Sequence, residues 1–301
     1  MGTIAVIGSA NADLVVQVDR RPAGGETILG SDLVITPGGK GANQAVAASL
    51  IGGDVRFVGC IGEDPYGEML RASLAVAGVD VSGLGRLPDA TGCALIFITP
   101  DGENSIVVAP GANGAVTPGY LRDSGRAWES ADLVLVQLEI PLDTVEFVAA
   151  ECRSRGTRLM LNAAPAAALP AHVLEGCDPL VVNESEAMIL LGELPEAWSD
   201  PEDVARRLMG LGPRSVVITL GASGAVAMGP DGSVHREPGR KVEVVDTTGA
   251  GDAFCGALAT TLANGSSLAE GLATATQMAA VSVQHPGAQS SYPKLALVQP
   301  Q

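Results

Sequence analysis

Val244-Val245-Asp246-Thr247-Thr248-Gly249-Ala250-Gly251-Asp252-Ala253-Phe254 is the stretch that decides the fold. Val242 to Val245 reads as the end of a strand, and the threonines and glycines that follow read as a turn. Phe254, Leu258 and Leu262 then recur at helical spacing until Asn264-Gly265 stops the pattern. A strand that turns straight into a helix is one step of an alternating α/β chain. Gly249 and Gly251 leave backbone N–H groups bare at the positive end of the helix dipole, where an anion, and above all a developing oxyanion, is well held. Asp252 falls in the first turn of that helix. A carboxylate there can take a proton from a hydroxyl while the backbone neutralises the phosphate that the oxygen receives. By itself the motif also fits an ordinary glycine-rich turn in which Asp252 only starts a helix.

Toward the C-terminus a last long helix is expected from about 268 to 283, ending at His285-Pro286-Gly287. Toward the N-terminus the same alternation recurs. We expect strands at 133–138, 158–162, 179–182 and 215–219, helices at 142–155 and 202–210, and a short helix carrying Glu184 and Glu186. A glycine-rich hairpin is expected around Asp231-Gly232. Thr3 to Ile7 is a buried-type strand running into Gly8-Ser9-Ala10-Asn11-Ala12-Asp13, and an alanine-rich helix opens after Gly38-Gly39-Lys40-Gly41-Ala42-Asn43-Gln44. Val55 to Cys60 is a strand; Asp64-Pro65 starts a helix with an N-cap and a first-turn proline, and Gly78 closes it.

Two stretches break the pattern. Residues 14–36 alternate like an exposed sheet, and CALIFIT and SIVVA within 91–110 read as a hairpin joined by Pro100-Asp101-Gly102-Glu103. The expected fold is a three-layer α/β/α sandwich with a mostly parallel central sheet, built as one domain over 1–301, with a small β-sheet lid from 14–36 and 91–110. Ligands of such sheets sit at the carboxyl ends of the strands. Asn11, Asp13, Glu139, Asn183, Thr219 and Asp252 all fall at or just past expected strand ends.

Composition narrows the chemistry. With 34 acidic against 18 basic residues, the net charge of −16 leaves no basic footprint for nucleic acid and disfavours an anionic membrane surface. Any phosphate site must be locally positive against that field. The five cysteines fall singly, as expected of reduced thiols in a cytoplasmic protein, and no apolar run reaches membrane-spanning length. There is no GxGxxG after the first strand and no P-loop motif, which argues against a dehydrogenase and a P-loop enzyme.

The pair Gly38–Gln44 and Asp246–Asp252, together with Gly8–Asp13, Gln137-Leu138-Glu139 and Asn183-Glu184-Ser185-Glu186, resembles the ribokinase-like sugar kinase family from Ile4 to about Ser291. The resemblance implies ATP-dependent phosphorylation of a sugar hydroxyl. It implies Asp252 as base and Gly249-Ala250-Gly251 as anion hole, and a sugar pocket of Asn11, Asp13, Gly39, Lys40, Asn43, Glu139 and Asp252, with Ala94 and Ile96 from the lid. The nucleotide would be held by Asn183, Thr219, Leu220, Gly221, Ala222, Ser223, Gly224, Gly251 and Thr276. Mg2+ would be ordered by Asn183 and Glu186 through water. A monovalent cation, K+, would lie near Asp246, Thr248, Ser282, His285, Gly287 and Ser291. Thr248, Ser282, His285 and Pro286 depart from the residues usual there, but much of such a site is backbone carbonyl.

The residues suit those roles. Paired sugar hydroxyls need neutral and acidic hydrogen-bonding groups such as Asn11, Asp13, Asn43 and Glu139, although Asn11 and Asp13 alone would also fit an Asx turn. A lysine at a helix start opposes the dipole, so Lys40 points to an anion nearby. The lid segment 91–110 has no Arg or Lys for a second phosphate, and Phe97 is its one aromatic for stacking a base. A small neutral sugar is therefore favoured, ribose first (ribose and ATP to ribose 5-phosphate and ADP). Deoxyribose, fructose or a nucleoside remain alternatives, as does a sugar-binding sensor on the same fold. One face of CALIFIT (Ala94, Ile96, Ile98) is expected to meet sugar, and the other (Cys93, Leu95, Phe97, Thr99) the lid of a second copy in a homodimer.

Overall fold

The computed structural model describes residues 1–101, 104–124 and 128–294. The chain begins with β1 (Thr3–Ile7), β2 (Asn11–Gln17), β3 (Val34–Gly38), α1 (Lys40–Leu50), β4 (Asp54–Gly62), α2 (Pro65–Val76) and β5 (Asp80–Leu87). It continues through β6 (Gly92–Ile98), β7 (Asn104–Ala109), α3 (Pro118–Asp123), β8 (Leu133–Val136), α4 (Leu142–Arg155), β9 (Arg158–Asn162), α5 (Ala171–Leu174) and β10 (Cys177–Asn183). The last elements are α6 (Glu184–Leu190), α7 (Pro201–Met209), β11 (Val216–Thr219), β12 (Gly224–Met228), β13 (Val234–Pro238), α8 (Ala250–Ala263) and α9 (Leu268–Ser282).

A nine-stranded sheet in the order β13-β12-β11-β10-β9-β8-β1-β4-β5 forms the middle layer. It is parallel from β11 to β5, with β12 and β13 antiparallel at one edge. Both faces are dry, which is why its strands read as unbroken apolar runs rather than alternating ones. Along β1, Ile4 and Val6 enter the core under α1, α2, α8 and α9, while Ala5 and Ile7 enter the core under α4, α6 and α7. Small residues set the spacing of the first layer: a Cβ on Gly256 of α8 would lie 2.6 Å from the Gln44 carbonyl and 2.7 Å from Ala47 Cβ. α1 and α8 therefore touch backbone to backbone, and each brings a polar first or second turn to the same place.

The small sheet runs β3-β2-β6-β7. It pairs Asp13 with Ala94 and Val15 with Ile96 in parallel register, so the side chains of these four residues share one face. The Gly102-Glu103 part of the expected hairpin turn lies outside the described residues.

Three expectations need correction. Val242–Val245 is not a strand: after β13 the chain leaves the sheet edge, and the N–H groups of Val245 and Asp246 bond the Val283 carbonyl at the end of α9 (2.8 and 3.2 Å). Helix α8 thus starts from a loop, and Asp252 does not follow a strand end. The lid strand begins at Asn11, not at 14, so Asn11 and Asp13 project from a strand rather than from an Asx turn. β5, α3 and α5 add elements that the apolar pattern had not indicated. Among the described residues no helix is long and apolar enough to cross a membrane, and Cys60, Cys152, Cys177 and Cys255 are buried free thiols, with Cys93 half-buried.

Candidate active site

The carboxyl ends of β1, β8, β9, β10 and β11 open toward the first turns of α1 and α8, and the small sheet stands over β1. Polar side chains that are costly to bury collect here and pair with one another. Glu139 lies past β8. Its Oε2 accepts from Ser9 Oγ (2.5 Å), the Lys40 backbone N–H (3.1 Å) and Asn11 Nδ2 (3.5 Å). Asn11 is oriented from behind by Asn113, whose Nδ2 donates to Asn11 Oδ1 (2.7 Å) and whose own Oδ1 accepts from the Ala10 N–H (2.9 Å). A side chain at Gly92 would strike both asparagines, at 2.2 and 2.4 Å.

Asp13 is 9% exposed, and its carboxylate takes no hydrogen bond from the described residues. Gly38 makes room for it: a Cβ there would sit 2.1 Å from Asp13 Oδ2. Burial, with the added repulsion of Glu139 and Asp252, raises its pKa from 3.8 to about 7. Ala94 and Ile96, both buried, lie beside it on the inner face of the lid. Two oxygens kept free in a site of this kind are what adjacent sugar hydroxyls require.

Asp252 is 7% exposed, in the first turn of α8. Asn43 Nδ2 donates to its Oδ2 (3.0 Å) and Gln44 Nε2 to its Oδ1 (2.9 Å). Asn43 is fixed in turn by Gln289, whose Nε2 donates to Asn43 Oδ1 (3.0 Å) and whose Oε1 accepts from Ser73 Oγ (2.7 Å). Before Asp252, Gly249 adopts φ +73°, a left-handed conformation, and a Cβ on it would meet Tyr292 Oη at 2.5 Å and Ala288 Cβ at 2.7 Å. Tyr292 Oη donates to the Gly249 carbonyl (3.0 Å), so the turn rests on a buried phenol whose pKa burial pushes well up. Gly251 faces open space: a Cβ there would meet nothing within 4 Å.

Lys40 divides its groups. Its N–H faces Glu139, while its side chain lines a cavity of about 140 Å³ with Asn162, Asn183, Glu186, Gly249, Gly251 and Asp252. Asp252 chiefly raises the Lys40 pKa, with Glu139 and Glu186 adding to it against the opposing effect of burial. The ammonium makes no ion pair within 4.0 Å among the described residues and shares its cavity with the Gly249–Gly251 turn. Asn183 and Glu186 form a reciprocal capping box at α6: Asn183 Oδ1 accepts from the Glu186 N–H (2.8 Å) and Glu186 Oε2 from the Asn183 N–H (2.8 Å). Burial raises the Glu186 pKa, in part offset by Asn183 and Lys40.

A second cavity, of about 470 Å³, adjoins through Gly251 and Thr219. Thr219, Gly221, Ala222, Gly224, Gly251 and Thr276 line it; Leu220 and Ser223, expected there, do not, and Leu220 packs against the core instead. Arg240, Lys241, Val242, Val244, Phe254, Ala279 and Val283 also line it, a contribution that was not anticipated. The Thr276 hydroxyl is buried without a hydrogen-bond partner among the described residues.

The expected cation residues lie on two segments joined by Asp246. Its Oδ1 accepts from Thr248 N (2.9 Å) and Thr248 Oγ1 (2.6 Å), and its Oδ2 from Gly287 N (2.8 Å). Burial raises the Asp246 pKa, but these bonds outweigh it and the pKa falls. Ser282 and Ser291 donate their hydroxyls to Ala279 and Ala288 carbonyls, and the His285 N–H bonds the Ser282 carbonyl. The structure thus joins Asp246, Thr248 and Gly287 directly, and Ser282, His285 and Ser291 only through the loop they share.

The chain is similar to known carbohydrate kinases. The profile of the pfkB family carbohydrate kinases matches residues 1–295. The chain is 39% identical to a ribokinase from Bacillus subtilis over 97% of this chain and 97% of that one. It is 34% identical to a deoxyribokinase from Salmonella typhi over 97% and 96% of the two chains. The structure of the Arabidopsis thaliana ribokinase complexed with ribose and ATP superposes with a TM-score of 0.88 at 31% identity, covering 99% of this chain and 97% of that one.

Proposed function

The chain belongs to the pfkB family of carbohydrate kinases, and we propose on that premise that it transfers the γ-phosphoryl group of ATP to ribose. The observation that carries this reading is the station of Asp252: it is charge-coupled to the unpaired Asp13 on one side and follows the Gly249–Gly251 turn on the other. In this reading Asn11, Asp13, Asn43 and Glu139 hold the sugar hydroxyls, and Ala94 and Ile96 close over them and exclude water. Asp252 takes the proton of the attacking hydroxyl as its oxygen bonds to phosphorus and the bond to the departing ADP breaks. The N–H groups of the turn and the Lys40 ammonium neutralise the charge that collects on the transferred group.

The 470 Å³ cavity takes the adenine and its ribose, with Thr276 in its wall. Mg2+ bound with the nucleotide phosphates would supply charge neutralisation. The capping box leaves the second Glu186 oxygen without a hydrogen bond among the described residues, and Asn183 and Glu186 would hold the ion through water. A K+ beside Asp246 would order the loop behind the anion turn; the serine and threonine oxygens and the loop carbonyls there suit such an ion. The outer face of the lid, with Leu95 at 41% and Val107 at 59% exposure, is the proposed contact with a second copy.

A coupled ADP-release assay across ribose, 2-deoxyribose, fructose, fructose 6-phosphate and adenosine tests the substrate. Ribose is expected first. It should lead deoxyribose by about 10-fold or more in kcat/KM, because a missing hydroxyl leaves a buried partner unsatisfied at about 1–3 kcal/mol. A better rate with deoxyribose, adenosine or a sugar phosphate would overturn the ribose assignment.

A further inference from the structure

Gln44 has no part in the chemistry described so far, yet it is fully buried in the second turn of α1 and makes three hydrogen bonds. Its Oε1 accepts from Gln137 Nε2 (2.6 Å), and its Nε2 donates to Asp252 Oδ1 (2.9 Å) and to Asn162 Oδ1 (3.0 Å). Both amide protons and the carbonyl are thus in use. Turning the amide over would set its oxygen against two acceptors and its nitrogen against the Gln137 donor, so only one orientation is available. Gln137 is also fully buried, and its Oε1 has no hydrogen-bond partner among the described residues. Leaving that oxygen bare costs stability. Its other amide group is spent on orienting Gln44, and each amide in the line donates toward Asp252.

We propose that Gln44 is the positioning residue of Asp252, oriented for that task by Gln137. Asp252 Oδ1 is held by Gln44 and Oδ2 by Asn43, so the carboxylate plane is fixed from both sides. A chain of amides passes no proton onward, so the proton that Asp252 accepts stays on its carboxyl until it leaves from the ligand side. Through Asn162, which lines the small cavity with Lys40 and Gly251, the same side chain also fixes the wall facing the phosphoryl group. This inference rests on the reading of Asp252 as the base.

The test is a set of variants, Gln44→Met, Gln44→Glu, Gln137→Leu and the double variant Gln44→Met/Gln137→Leu. Each is assayed for kcat and KM from pH 5.5 to 9, with thermal melts alongside. Gln44→Met should lower kcat by about 10- to 100-fold, the effect of a misplaced reacting group. The KM values for ribose and ATP should stay within about 3-fold, so that the loss falls on kcat. Gln44→Glu should add to the pH profile of kcat an ionisation absent from the parent, since two carboxylates in contact titrate as a pair. Gln137→Leu should lower kcat several-fold, yet cost nothing further once Gln44 is gone. A fall in melting temperature with kcat and its pH profile unchanged, or additive losses in the double variant, would overturn the proposal and leave the two glutamines as packing residues. Should a Met or Leu variant fail to fold, the isosteric Gln44→Glu decides alone: the parent's pH profile in that variant refutes the proposal. Asp252→Asn, run in parallel, separates the two readings. Normal turnover there removes the base itself, whereas collapsed turnover with a normal Gln44→Met removes only the positioning role.

Discussion

Replacing Asp13 by Asn should make the ligand-free protein more stable above neutral pH while removing most of its affinity for sugar. The structure supplies the magnitude. Burial first, then the charges of Glu139 and Asp252, lift the Asp13 carboxyl from 3.8 to about 7, so the folded chain holds a proton that the unfolded chain has released. A raised acid works against stability: the penalty is absent below pH 3.8, grows as pH rises toward 7, and is complete above it. At about 1.4 kcal/mol per pH unit, the full penalty is about 4 kcal/mol, of which about 2–3 kcal/mol accrues between pH 5 and pH 8. Asparagine has the same shape and no charge to bury. The stability difference between Asp13→Asn and the parent, from urea unfolding at pH 5, 6, 7 and 8, should therefore widen in favour of the variant by about 2–3 kcal/mol. A difference independent of pH would refute the electrostatic account of the pocket. Isothermal titration with ribose should show that the stabilised variant binds poorly; unimpaired binding would remove Asp13 from the sugar site.

Activity should rise when K+ replaces choline in a sodium-free assay, because Asp246 ties the loop at Gly287 to the start of the anion turn; equal rates would remove the cation site. Light scattering at micromolar concentration should give a dimer, since Ile35, Leu95 and Val107 leave an apolar outer lid face in water; a monomer would refute the pairing. Gly249→Ala should lower turnover and destabilise the fold by about 1–3 kcal/mol, for a left-handed backbone and the Tyr292 contact both oppose a methyl there; an enzyme and a melt like the parent's would contradict the argument.

The elements that the sequence revealed best are those whose local signals agree with their surroundings. α4 and β9 cover the expected 142–155 and 158–162, and Asp64 caps α2 as its Asp-Pro pair indicated. β5 was missed because Asp80–Leu87 carries two glycines and only scattered apolar residues, and its strand character comes from pairing with β4. The Val242–Val245 error has the opposite origin. β-branched residues read as a strand, but here Val242 and Val244 wall a cavity and the backbone bonds the end of α9. In the site, the motif residues could be read because charged and glycine-rich turns stand out from an apolar chain. Asn113 and Asn162 could not, and Ser9 and Gln137 stood within the quoted motifs without a role, for each is a neutral polar residue whose part depends on which distant groups the fold places beside it. Gln44 did carry a signal: an amide within an alanine-rich helix face needs a buried partner.

The central claim is that Asp252 is the base of a ribose phosphotransfer at the mouth of the Gly249–Gly251 turn. Its most direct test is Asp252→Asn, an isosteric change that keeps the acceptor oxygen and removes the proton-accepting charge. Turnover of ribose with ATP should fall by about 10²- to 10⁴-fold, the range for loss of a general base. Calorimetric affinities for ribose and for the nucleotide should stay near those of the parent. Turnover within a few-fold of the parent, with the fold intact, would contradict the claim.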